Sequence, residues 1–101
     1  MRIITIKRLR DYATRHPTTA TTLEHWEELI RRGRFADLLE LQKLLPSADQ
    51  VVVESGKTVT IFKIKNHYRL VTAIHYNHQI VYVLLLLVHS DYEKPHWKKT
   101  L

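Results

Sequence analysis

Nine consecutive residues, Ile80 to Val88 (IVYVLLLLV), carry no charged side chain, and this run limits the fold more than any other segment. A membrane helix needs about twenty apolar residues in a row, so the run is too short to span a bilayer. Its content of Val, Ile, Leu and Tyr suits a strand. A strand that is apolar at nearly every position must be buried on both faces, which predicts a place in the middle of a sheet. With 101 residues in all, the chain suffices for one core, and residues 1–101 read as a single domain of one helical layer on one sheet.

The segments around the run divide by period. Met1–Ile6 is rich in β-branched residues and reads as a first strand. Lys7–His16 places Leu9, Tyr12 and Ala13 at helical spacing and stops at Pro17, because the residue before a proline is pushed out of the helical region. Thr21 and Glu24 predict a capping box for a second helix, with Leu23, Trp26 and Ile30 as its buried stripe and Gly33 as its end. Phe35–Leu45 reads as a third helix through Leu38, Leu39, Leu41 and Leu45, closed by Pro46. Beyond it the period falls to two, and Val51–Val53, Val59–Lys65, Tyr68–His75 and Ile80–Val88 form an antiparallel meander. Its turns, at Asn66-His67 and Tyr76–Gln79, place asparagine where a left-handed backbone is tolerated. Ser90 and Glu93 predict a last capped turn before Pro95, in a tail that is short and loosely held.

Charge is unevenly spread. Residues 1–17 carry +4, residues 18–56 carry −3 and residues 57–101 carry +5, within a net +6. Two basic ends favour a polyanionic partner, with nucleic acid first. The absence of cysteine excludes thiolate chemistry and fits a cytoplasmic location. MRIITIKRLRDY has charge where a signal peptide needs an apolar stretch, so neither secretion nor a membrane is expected. His75 and His78 have no carboxylate at ligand spacing, so no metal site is expected. Glycine-rich phosphate loops and Gly-x-Ser-x-Gly elbows do not occur.

The basic meander holds Lys63, Lys65, His67, Arg69, His75 and His78, followed by His89, Tyr92, Lys94 and His96. Metal-free RNA cleavage needs a base for the 2′-hydroxyl, an acid for the leaving 5′-oxygen and cations around phosphorus, and these side chains can supply all three. A two-residue turn at Asn77-His78 would set Arg69 opposite Leu86 and Leu84 opposite Val71. A three-residue turn would set Arg69 opposite Leu87 and His67 opposite His89. Under either, the end of the last strand is the expected site. Buried arginine is costly unless paired, so Arg69 should meet a carboxylate or face an open cleft. His16, His25, His75 and His78 read as surface or turn residues.

The segment FKIKNHYRLVTAIHYNHQIVYV and the following VHSDYEKPHWKK resemble the HigB-type toxins of bacterial type II toxin–antitoxin pairs. So do the opening MRIITIKRLRDYATRHP, Trp26 and Ala48-Asp49. The resemblance implies an α+β, RelE-like fold: an N-terminal strand and two to three helices on one face of a small antiparallel sheet, ordered β-α-α-β-β-β, with a short C-terminal helical turn. It also implies a ribosome-associated mRNA endoribonuclease that needs no cofactor. The implied partner is a HigA-type helix-turn-helix antitoxin, through which alone DNA would be met. By the family pattern Arg69, His89 and Tyr92 carry over as catalytic residues, with Lys65 and His67 from the adjoining turn, and the flanking Lys63, Lys94 and Lys98 read as RNA-backbone contacts. Leu84 departs from the pattern, since relatives commonly have a basic residue there, and Val88 stands in place of a threonine. The turn at Lys65–His67 also lacks the usual glycine. A catalytically weak relative that still holds RNA, the ribosome or an antitoxin is the competing expectation, and a DNA-binding regulator lacks a basic recognition helix.

Overall fold

In the computed structural model, which describes residues 1–101, the chain runs β1 (Arg2–Ile4), α1 (Ile6–Arg15), a 3-10 turn (Pro17–Thr19), α2 (Ala20–Arg32) and α3 (Leu38–Leu44). It continues through β2 (Asp49–Val52), β3 (Thr58–Ile64), β4 (Tyr68–His75) and β5 (Ile80–Val88), and closes with single turns α4 (His89–Tyr92) and α5 (His96–Lys99). The class is α+β, as expected. The sheet has the order β1-β5-β4-β3-β2, and it is mixed, because β1 lies parallel to β5 while every other pair is antiparallel. Parallel neighbours need a long crossover, and the whole chain between them supplies it.

Helices α1 to α3 cover one face. Leu9, Leu23, Trp26, Ile30 and Leu41 pack there on Phe62, Ile64, Leu70, Val81, Val83 and Leu86, with the Trp26 and Phe62 rings edge to face at 5.4 Å. Helix α2 begins two residues earlier than the predicted capping box allows. The Pro17–Thr19 turn feeds directly into it, so Thr21 lies inside the helix and the Thr19 side chain makes no cap bond. Helix α3 starts late, at Leu38, because the Asp37 carboxylate accepts the Glu40 N–H at 3.0 Å and fixes the start there. Leu41 is its buried residue, and Leu39 is exposed.

Beyond Ile4 and Tyr82, where β1 ends, side chains of Thr5 and α1 take over the outer edge of β5. Thr5 Oγ1 accepts from Val83 N at 2.9 Å and donates to Val83 O at 3.0 Å. Arg8 Nη1 donates to Val83 O and Leu84 O, and the Tyr12 hydroxyl donates to Leu84 O at 3.1 Å. Otherwise unpaired strand groups are thereby satisfied. The arrangement holds Thr5 at φ 68, in the left-handed region that β-branched residues rarely enter.

The opposite face is open except for the C-terminal segment, which crosses it. Trp97 is 4% exposed and packs with Val53, Val59, Ile61 and Val71, and Lys98 O accepts from Glu54 N at 3.1 Å. The tail is therefore anchored, contrary to the expectation of a loose end, because Trp97 supplies the apolar cover this face lacks. Val88 rather than Ser90 occupies the N-cap of α4, with no side-chain bond. Strand β5 has neighbours on both sides but only partial cover: Tyr82, Leu84, Leu85 and Leu87 on the open side are half-buried. Neither turn asparagine is left-handed. Lys65 and Gln79 are instead, at φ 52 and 54, and the Gln79 amide is held by both backbone groups of Phe35.

Candidate functional site

Register sets the site. Near the turn, His75 pairs with Ile80 and Thr72 with Val83, which is the parity of the two-residue alternative. Past a bulge, Val71 pairs with Leu85, Arg69 with Leu87 and Tyr68 with Val88, which is the parity of the three-residue alternative. Leu84 is the residue left unpaired between them, so the strand holds both registers in sequence. The bulge leaves Leu84 and Leu85 both against the open-face cluster. The backbone bond from His89 N to His67 O, 2.7 Å, continues the shifted register past the strand's end.

Lys63, Arg69 and Leu87 form one row across the open face, and Asp49, Ile61, Val71 and Leu85 form the next. Arg69 has no carboxylate partner. Its Nη1 donates to Tyr68 O at 3.0 Å and Asn66 O at 3.2 Å, and its guanidinium carbon lies 5.9 Å from the centre of the Tyr92 ring. Of the two predicted environments, it takes the open one. Tyr92 is positioned by Trp97: the rings stack with centroids 5.4 Å apart at 21°, and Trp97 Nε1 donates to Tyr92 O at 2.8 Å. Burial pushes the Tyr92 hydroxyl above its ordinary pKa of 10.0, the negative charge of Asp49 adds to this, and Arg69 opposes it. Tyr92 is thus a neutral phenol near neutral pH, able to donate a hydrogen bond but not to act as a base.

His89 opens α4, one turn before Tyr92. Its Nε2 lies 2.8 Å from Glu93 Oε1, so Nε2–H donates to the carboxylate and Nδ1 is the ring nitrogen left to face a ligand. Glu93 was not singled out from sequence as part of a site. Its position four residues after His89 was the available signal, since that spacing places two residues on one face of a helix.

Lys65 and His67 are exposed in the loop that joins β3 and β4 beside this end of the sheet. Lys94 is 3.6 Å from Asp91. Lys98 is not brought to Arg69: it lies over the Trp97 ring at 5.7 Å, and its residue is bonded to the β2–β3 turn at the other end of β3. His16, read as a surface residue, is half-buried with its ring 5.2 Å from that of Tyr68. No three His, Asp or Glu side chains converge as a metal site, and no helix is long and apolar enough to cross a membrane.

Among curated proteins, none matches the chain. A family model described as HigB toxin, the RelE-like toxic component of a toxin–antitoxin system, matches residues 19–95. The match takes in α2, α3, the four-stranded meander and the turn that carries His89 and Tyr92, and it leaves β1, α1 and Trp97 outside. The chain belongs to the HigB toxin family: it is the RelE-like toxic component of a toxin–antitoxin system, and its partner is an antitoxin.

Proposed function

We propose that this toxin inhibits translation as a metal-independent endoribonuclease that cuts messenger RNA at the ribosome. The observation that supports this reading is an unpaired guanidinium, Arg69, lying over the Tyr92 ring at the end of an open sheet face, in one row with Lys63 and beside the turn that bears His89. In the reaction the RNA's own 2′-oxygen attacks phosphorus, loses its proton to a base, and displaces the 5′-oxygen, which takes a proton from an acid. His89 fills one of these roles. When neutral, it accepts the 2′-hydroxyl proton at Nδ1 while Glu93 steadies the ring through Nε2. Arg69 and Lys63 stabilise the charge that gathers on the phosphate oxygens. Tyr92 donates from its phenol and holds Arg69 by ring contact. Lys65 and His67 meet the RNA backbone from the adjoining loop, and Lys94 meets it from the tail.

Induced expression is expected to arrest growth with messenger RNA cleavage, and His89→Ala to lower cleavage by roughly 10²-fold or more. Equal toxicity from the variant removes His89 from the mechanism. The partner in this reading is a HigA-type helix-turn-helix protein, and a short helix-turn-helix reading frame beside the gene supports it.

A second reading rests on Leu84. Its side chain lies against the apolar cluster of the same open face as Arg69, so no cation enters the face at that position. In this reading the protein binds RNA or its antitoxin without cutting. Salt-sensitive binding to ribosomes with no cleavage, even in Leu84→Arg, favours it over the first.

A further inference from the structure

The positive charge of the first seventeen residues is not used by the site described above. Helix α1 carries it in two different ways. On one side, Arg10 is held by Glu27 at 2.7 Å, and Arg31 and Arg32 of α2 are held by Glu27 and Glu28. On the other side, Lys7, Arg8 and Arg15 have no carboxylate within ion-pair distance, and with Thr5, Asp11 and Tyr12 they line a cleft of about 380 Å³. Three cations against one acid leave the cleft positive. Arg15 lies over the Tyr12 ring at 5.6 Å, which adds a flat, cation-backed surface of the kind on which nucleobases stack.

The cleft lies beside the edge of β5, the strand that runs on to His89. Helix α1 is about 15 Å long and follows the outer edge of β5 from Val83. Just past its last residue, the His16 ring packs on Tyr68. Tyr68 precedes Arg69 and pairs with Val88, which precedes His89. Tyr68 faces the helices and Arg69 the open side, so a strand of RNA leaving the phosphate at Arg69 and His89 rounds the edge of β5 near Val88 to reach Arg15, Tyr12, Arg8 and Lys7. The residues of this path on α1 lie outside the family match, which begins at residue 19.

We propose that the Lys7–Arg8–Tyr12–Arg15 cleft is a second RNA-binding segment, which takes the sugar-phosphate backbone of single-stranded RNA flanking the scissile phosphate. The inference rests on the nuclease reading for the direction of the strand, but not for the binding itself. Arg8 is tied to β5 and is left intact in the test. Lys7→Ala/Arg15→Ala is compared with the parent protein and with Arg31→Ala/Arg32→Ala, which removes the same charge from side chains already paired. The probe is a fully 2′-O-methylated RNA oligonucleotide, which can be bound but not cut, titrated over a range of salt.

Each phosphate contact to single-stranded RNA contributes about 0.7 to the slope of log affinity against log salt. The cleft variant should lose about 1.4 of that slope with an unchanged circular dichroism spectrum, while the control keeps the parent slope. Equal losses in both variants, an unchanged slope, or no binding of the probe by the parent overturns the proposal. So does a variant that loses affinity only for the antitoxin, which would give the cleft to an acidic protein segment. Cleavage of unmethylated messenger RNA on translating ribosomes is measured alongside. A changed slope without cleavage in the parent keeps the cleft and overturns the nuclease, whereas cleavage with an unchanged slope does the reverse.

Discussion

The two faces of the sheet are built from the same strands and do different work. Under the helices, Phe62, Leu70, Val81 and Val83 are almost wholly buried among other apolar side chains. On the open face, Lys63, Arg69 and Asp49 stand among apolar neighbours, and a single indole, Trp97, covers the middle. Closing one face completely leaves the other free to keep Arg69, Lys63 and Asp49 near water, where holding a charge costs little. The stability of the fold therefore resides mainly on the face that carries no candidate chemistry.

Four measurements can break or sharpen that contrast. Phe62→Ala, in the closed face, should cost about 3–5 kcal/mol, a large share of the roughly 5–15 kcal/mol by which domains are stable, and should lower the denaturant midpoint accordingly. Trp97→Ala should cost less, about 3 kcal/mol at most, because the short tail can detach while the helix-covered face stays folded. Its larger consequence is for Tyr92, which loses its stacking partner. Limited proteolysis should cut beyond Val88 in this variant, and RNA cleavage should fall with the circular dichroism spectrum nearly intact. If Trp97→Ala unfolds the protein as thoroughly as Phe62→Ala, the two faces are not energetically separate.

Asp37→Ala removes the only side-chain cap of a helix on the closed face and should cost about 1 kcal/mol, read as a small shift of the thermal midpoint with no effect on cleavage. The smallest effect is a titration on the open face. Tyr92 ionises above its ordinary 10.0 because burial and Asp49 disfavour the phenolate. A pKa raised by folding adds stability that is complete below pH 10.0 and is lost as pH rises through the folded value. The phenolate absorbance should therefore appear later for Tyr92 than for an unfolded control. Asp49→Asn should move it down, and Arg69→Ala should move it up. A Tyr92 titration indifferent to both substitutions would separate these three residues.

Much of the fold was legible in the chain because its cues are local. The period of Leu23, Trp26 and Ile30, the stop at Pro17 and the uninterrupted apolar run of β5 each report on neighbours within a few residues. The candidate site was legible in part for the same reason. Arg69, His89 and Tyr92 could be named from residue type and pattern, and both possible registers could be written down. Glu93 was missed because nothing nearby demanded it, and Lys98 was grouped with the site because sequence proximity to Tyr92 does not say where the tail runs.

The sequence alone determined the order and kind of elements, the buried stripe of α2, the charge asymmetry and the family. Tertiary structure decided the rest. It placed an extra residue, Leu84, at a bulge whose carbonyl is taken by Arg8 and Tyr12 from seventy residues away, and that bulge turns one register into the other. It also drew Trp97 onto a face that no helix covers. Both outcomes depend on contacts between distant segments, whose net energies arise only when the chain has closed on itself, so local pattern could list the alternatives but not choose among them.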